Sequence, residues 1–340
     1  MTDWRPAAVA ALAAALSGGA SPGGGGSVSS GGDCDRGPLD GLLEEAVDQL
    51  AELLADRPPE TVAALAVPVA VHRALTGRLP PAGLLAAAAA TYVALRVLDD
   101  RADGDRSSFW ADRDDSEAMI GVQVLLVTAA QAVGDGAGAP LAITMTRTYR
   151  QMLATVSDGQ LRSGEPLTAS TTPAEVHARI GSRSGALLAG FAELAALVAL
   201  AVPERVAAGR SYGFELGVAR QHANDLSELV SERTSDLRNR TATMVTALAL
   251  QTASPSDRAA LLLGLDSAAD DREERDRLVR ELAPVMREVV ALTALHLARA
   301  RTQARLLCAG DLRHDELERL VDATDATLRR RPSSAGGLSS

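Results

Sequence analysis

Two acidic segments each close a largely apolar stretch of helical periodicity, and this pairing limits the folds open to the chain more than any other feature. The first reads Val97-Leu98-Asp99-Asp100-Arg101-Ala102-Asp103-Gly104-Asp105 and ends an apolar run that begins at Leu84. The second reads Gln221-His222-Ala223-Asn224-Asp225-Leu226-Ser227-Glu228, with Glu232 one turn further on. Residues four apart share a helix face, so Asp99 lies with Asp103 and Asn224 with Glu228. Placed opposite each other inside a helical bundle, two such faces would form a dense negative patch, which is prohibitively costly to bury unpaired. A hard divalent cation removes that cost, because Mg²⁺ takes oxygen ligands and bridges carboxylates to phosphate oxygens. The pattern predicts a site for a magnesium–diphosphate complex. The plainer alternative for each segment is a solvated acidic helix end.

The remaining composition fits a helical protein. Aromatics make up only 2% of the 340 residues, and the apolar mass is mostly Ala, Leu and Val. Ala and Leu are strong helix formers, and no strand pattern stands out. The chain has no Lys, so Lys-dependent chemistry such as Schiff-base formation is excluded. A net charge of −10 argues against nucleic acid as a partner. Cys34 and Cys308 are the only cysteines, too few for a disulfide framework or a thiolate metal site, and they fit a reducing cytoplasm. No apolar run reaches the ~18 residues expected of a membrane span. The N-terminal run Ala7 to Leu16, followed by small residues and Pro22, has the outline of a signal peptide. Asp3 in its flank and its high Ala content favour a short helix before a linker instead.

Punctuation by Pro and Gly sets the expected organisation. Residues 1–37 read as a short helix and a Gly/Ser-rich linker, 38–330 as one helical domain, and 331–340 as a disordered tail. Helices are expected over Leu39–Leu54, Thr61–Leu75 (kinked or split at Pro68), Pro81–Asp105, Ser116–Val133, Pro140–Asp158, Pro173–Ile180 and Ser184–Ala201. Pro203 opens the helix that carries the second acidic segment, and Ser254-Pro255-Ser256-Asp257 caps the first of three C-terminal helices. The sum is an all-α bundle of about ten to thirteen helices.

The order of these landmarks resembles the trans-isoprenyl diphosphate synthase (polyprenyl synthetase) superfamily. Asp99-Asp100-x-x-Asp103 matches the family's DDxxD motif in full, and Asn224-Asp225-Leu226-Ser227-Glu228 occupies the place of the second motif with altered letters. Between them, Asp158-Gly159-Gln160 resembles the E-G-Q step, and Arg183-Ser184-Gly185-Ala186-Leu187 the K-T-G-x-L step. Gly217-x-x-x-Gln221 resembles G-x-x-x-Q, and Asp236-Leu237-Arg238 resembles the following D-L-x. Asn224, Glu228 and Glu232 also resemble the Asn, Ser/Thr, Glu pattern of class I terpene synthases, with Glu in the middle place. The resemblance implies one helical bundle around a central apolar cavity, and three Mg²⁺ ions bound with an allylic prenyl diphosphate of C15 or C20 length. It is also compatible with a homodimer. The implied metal ligands are Asp99, Asp100, Asp103, Asn224, Glu228 and Glu232, with Asp99, Asp103, Asn224 and Glu228 at the centre of catalysis. The implied substrate contacts are Arg183, Gln160, Gln221 and Arg106, while Tyr92 and Phe214, each two turns before a motif, can face the cavity. Arg240 is a weaker phosphate candidate.

Each assignment has a plainer competitor. Gln160 and Gln221 can be routine buried hydrogen-bond partners, Arg101, Arg106 and Arg183 surface or capping residues, Asp225 the partner of an Arg, and the two aromatics core filling. Ala94 and Leu95, just before the first motif, are candidates for the cavity floor. The five His residues have no metal-ligand spacing among themselves. Elongating members of the family hold a second, homoallylic diphosphate with a basic segment and with paired Arg after the first motif. Here Thr61 to Gly77 offers only His72 and Arg73, and Arg106 stands before Ser107-Ser108. This departure favours a terpene synthase, with a trans-prenyltransferase and a non-catalytic regulatory partner as the rival readings.

Overall fold

The computed structural model describes residues 3–18, 37–104, 106, 109–231, 235–308 and 314–329. Glu232, Asp105, Cys34, residues 19–36 of the linker and the tail lie outside the described residues. All regular structure among the described residues is helical: thirteen helices of eight residues or more, one single turn, a short 3₁₀ turn and one π turn. The chain divides into two compact units, Met1–Arg150 with Leu194–Ala201, and Gln151–Glu193 with Val202–Ser340.

The first unit is built around α4 (Ala82–Ala102). Its neighbours in contact are α1 (Arg5–Gly18), α3 (Ala63–Thr76) and α5 (Asp115–Ala132), and α2 (Pro38–Asp56) packs on α1 and α5. Ala86 to Ala90 are all buried, so α4 serves as a slim central rod that its neighbours can approach closely. By length and composition α4 could cross a membrane, but most of its apolar stretch is buried against protein. Trp4, Ala8, Ala11 and Leu12 bury one side of α1. Inside the unit, the Tyr149 and Thr91 hydroxyls share a 2.8 Å hydrogen bond. Burial pushes the Tyr149 phenol up to about 12.

The second unit centres on the pair α9 (Pro203–Leu229) and α13 (Arg272–Leu307). The C-terminal part of α6 (Ala139–Ser163), α7 (Pro173–Ile180), the turn α10 (Ser235–Arg238), α11 (Met244–Thr252), α12 (Pro255–Asp270) and α14 (Asp315–Arg329) also belong to it. Caps set the starts: Thr172 and Glu175 form a capping box on α7, Ser254 caps α12, and Asp271 accepts two backbone N–H groups at α13.

Three local expectations need correction. Of the two outcomes expected at Pro68, a kink or a split, the split does not occur: α3 runs unbroken from Ala63 to Thr76, and the missing N–H costs one intrahelical bond, to the Ala64 carbonyl. The helix expected to stop at Asp158 continues to Ser163. Gly159 is no terminator there but a point of close packing: an added Cβ would lie 2.8 Å from the Arg183 backbone nitrogen. The break expected between Ile180 and Ser184 is a π turn over Gly181–Gly185, which links α7 to α8 (Ala186–Val198) without leaving helical geometry.

Candidate functional site

Both acidic segments lie at helix C-termini, where the helix dipole disfavours negative charge. In the first unit, α4 ends at Ala102, and Asp103 is its C-cap. Gly104 follows with φ +70°, a left-handed stop that glycine adopts at little cost. Asp99 is half-buried and Asp103 exposed, on one face four residues apart. Asp100 is buried and pairs with Arg96 at 3.1 Å. Arg101 and Arg106 both reach Asp115 at 2.9 Å, and Arg101 also donates to the carbonyls of Trp110 and Arg113. Arg101 thus ties down the segment that follows the motif. Tyr92 and Leu95 lie half-buried, whereas Ala94 is fully buried with Ala87, Ala90 and Val97. Ala94 therefore belongs to the packed side of α4, and Leu95 is the better candidate to face a ligand.

The second unit gathers segments that are far apart in sequence. Gly217 lets α9 approach the π turn so closely that an added Cβ would sit 2.3 Å from the Ser184 carbonyl oxygen. One turn on, the Ser184 hydroxyl donates to Gln221 Oε1 at 2.7 Å, and Gln221 Nε2 donates to Asp225 Oδ1 at 2.8 Å. Gly159 packs on Ser182 and Arg183, which brings the Gln160 region against the same turn. Asp158 is on the surface, paired with Arg162 at 3.0 Å. The Phe214 ring lies against Gly181 and Gly185. Asn224 is exposed and Glu228 half-buried, and Glu228 Oε1 accepts the Asp236 backbone N–H at 3.2 Å. A small pocket is lined by Asp225, Glu228, Asp236, Arg240, Thr243 and Thr246 among others.

The electrostatics of this pocket are strained. Burial, and then the Asp236 charge, push the Asp225 carboxyl up to about 7, against the help of the Gln221 amide and the Arg183 charge. Asp225 takes its hydrogen bond from Gln221, not from the Arg partner considered for it. Arg240 has a left-handed backbone (φ 49°) and an ion pair with Asp266. A buried carboxyl beside two further carboxylates suits a cation, and all of the donors are oxygens, the preference of Mg²⁺. Among the described residues no group of three or more His, Cys, Asp or Glu already stands in a metal-holding arrangement.

Sequence spacing missed two features of this unit. Ser184, the hinge of the hydrogen-bond relay, gave no signal of its own beyond its place between Arg183 and Gly185. The histidines, scattered in sequence, are not all scattered in space. His296 contacts His177 and His222, each with ring centroids 5.6 Å away, and its Nδ1 pairs with Glu215 at 2.5 Å. Both His222 ring nitrogens are buried without a hydrogen-bond partner, and burial, then the neighbouring rings, lower its pKa to about 4. Three different helices supply these rings, so no local spacing could reveal them.

Solved structures share this architecture over nearly their whole length. A decaprenyl diphosphate synthase from Rhodobacter capsulatus matches with a TM-score of 0.74 at 18% identity, covering 96% of this chain and 97% of that one. The fold is that of the trans-isoprenyl diphosphate synthases. A geranylgeranyl pyrophosphate synthetase from Pyrococcus horikoshii matches this isoprenyl-synthase fold at 0.71, with 17% identity and coverage of 86% and 91%. A polyprenyl synthase from Caulobacter crescentus, solved with calcium and isoprenyl diphosphate, matches at 0.66, with 20% identity and coverage of 86% and 95%. No family model matches the chain, and no curated protein is similar to it in sequence.

Proposed function

We propose that the chain is a Mg²⁺-dependent enzyme that ionises an allylic prenyl diphosphate and passes the prenyl group to an acceptor, a trans-prenyltransferase. The observation that carries this is the convergence of Arg183, Ser184, Gln221, Asp225 and Glu228 in one unit, on a fold otherwise found in diphosphate synthases. Asp99 and Asp103 in the first unit would hold metal there, and Asn224 and Glu228 would do so in the second; Glu232 completes the terpene-synthase-like spacing. Bound metal supplies Lewis-acid stabilisation of the departing diphosphate. Arg183 offers a planar fork suited to phosphate oxygens. Ser184 fixes which way the Gln221 amide points, and Gln221 in turn holds Asp225 from within the bundle.

A terpene synthase is the second reading, and one observation favours it. The α3 segment, where elongating relatives are basic, turns His72 inward to the Arg78 carbonyl at 2.9 Å, and Arg106 is engaged by Asp115. His72 is thus withdrawn into the interior, and the exposed Arg106 shares its guanidinium with Asp115 instead of standing in a pair of arginines. Incubation with C10, C15 and C20 allylic diphosphates, with and without isopentenyl diphosphate, separates the readings. A longer diphosphate supports prenyl transfer, and a hydrocarbon or alcohol formed without isopentenyl diphosphate supports the synthase. Absence of turnover and of Mg²⁺-dependent diphosphate binding removes both and leaves the regulatory partner.

A further inference from the structure

We infer that Phe109, paired edge-on with Tyr92, is a specificity-determining residue: it walls the path of the substrate's hydrocarbon chain, and the strained backbone at Trp110 holds it in place. The inference rests on the proposed binding of a prenyl diphosphate at the first acidic motif. Tyr92 precedes Asp99 by seven residues, two helical turns, so the two share a face of α4 about 10 Å apart. This strip is the incompletely covered one: Tyr92, Leu95, Arg96 and Asp99 are half-buried, while Val93, Ala94 and Val97 beside them are fully buried. Beyond Asp99 the helix ends in exposed polar residues, Asp103 and Gly104. A ligand with its diphosphate at Asp99 and Asp103 can lay its apolar tail only toward the N-terminal, apolar part of the strip, where Tyr92 stands.

Phe109 follows Asp103 by six residues in sequence. Phe109 returns to the level of Tyr92, with ring centroids 6.2 Å apart and planes at 86°. The next residue, Trp110, has φ 54°, a genuine outlier for a bulky side chain. It is held on every side. Its backbone N–H donates to Gln49 Oε1 at 3.0 Å, its indole N–H to the Leu42 carbonyl at 3.0 Å, and its own carbonyl accepts from Arg101 at 2.7 Å. The indole lies over Gly121, where an added Cβ would come within 2.3 Å of the ring. Backbone strain that its surroundings over-determine to this degree points to a positional task. Relaxing φ at Trp110 would swing the preceding residue, Phe109, away from Tyr92. An edge-to-face pair fixes where its rings lie, and rings of fixed position limit an apolar tail by steric exclusion.

The test compares Phe109→Ala and Phe109→Leu with the wild type, in the full chain, by kcat/KM on C10, C15 and C20 allylic diphosphates. The expected result is a change in the C20-to-C15 ratio of about tenfold for Ala, the scale at which apolar pockets discriminate chain size, a smaller change for Leu, and an unchanged Mg²⁺ dependence. Gln49→Leu, which removes the acceptor of the strained N–H and touches no ligand, should shift the ratio in the same direction. A merely structural role would lower thermal stability and leave the ratios alone, and that result overturns the inference. If Phe109→Ala does not fold, Phe109→Leu decides, because it nearly conserves volume. A wild type active on these substrates with unaltered ratios in folded variants sinks only this inference. A wild type that neither binds nor turns over any of them sinks the underlying reading as well.

Discussion

The C-terminal ends of α4 and α9 carry similar letters in opposite settings. At α4 the motif is a local object: Asp99 and Asp103 are brought to one face by helix geometry alone, and a single glycine ends the helix beside them. Its extra carboxylate, Asp100, is neutralised within the same helix by Arg96. At α9 nothing is local. Asp225 is buried and held by Gln221, which is held by Ser184, and the pocket beyond it is completed by Asp236, Arg240 and Thr243. A motif built on one helix can be read from sequence and should tolerate change around it. A motif built by convergence can change its letters, as Asn224 and Glu228 do, so long as the scaffold keeps oxygens in place.

Breaking the first motif should have the largest effect. Asp99→Ala and Asp103→Ala should each lower kcat by about 10²–10³ or more, as expected when charge stabilisation of a transition state is lost, with no loss of thermal stability. Near-normal rates in both would reduce this segment to a solvated helix end. Next comes Asn224: the Leu variant should lose Mg²⁺-dependent turnover and the Asp variant retain it, since oxygen donation matters there more than charge. A Leu variant whose Mg²⁺ titration matched the wild type would move the second metal site elsewhere.

Ser184→Ala probes convergence itself. Freed from its donor, the Gln221 amide can flip, and kcat should fall about tenfold, with partial rescue by Ser184→Thr. Loss of that one hydrogen bond should cost only about 1 kcal/mol of stability, so an unfolded protein would show that the relay is structural instead.

The pH dependence of stability sharpens the contrast further. In the metal-free fold, burial pushes the Asp225 carboxyl from its ordinary 3.8 up to about 7. The native state then binds more protons than the unfolded chain between these values, so this group's contribution to stability falls as pH rises from about 4 to 7 and is level above. Asp225→Asn should remove that slope and be more stable than the wild type at pH 8 without metal, as followed by thermal unfolding across pH. An identical slope in both proteins would place the titrating group elsewhere. The smallest effect belongs to Asp100→Asn. Its partner Arg96 is partly exposed, so the change should cost no more than about 1 kcal/mol in denaturant unfolding.

The helical class, the positions of the starts at Pro173, Pro203 and Ser254, and the first acidic face all follow from the sequence by itself, because caps, prolines and a 3.6-residue period act within a few residues of where they are read. Tertiary structure alone decided the rest. The helix expected to end at Asp158 runs on through Gly159, a packing point whose contacts come from Ser182 and Arg183. Ala94 reads as cavity floor and is buried in helix packing, because a one-residue rotation of 100° separates it from Leu95. Asp225 reads as one acid among several and becomes a strongly perturbed carboxyl, because burial and a neighbour eleven residues on set its charge. His296 gains Glu215 and two imidazoles from separate helices. Such effects depend on distances through space, and a linear order of residues carries no record of them until the chain is folded.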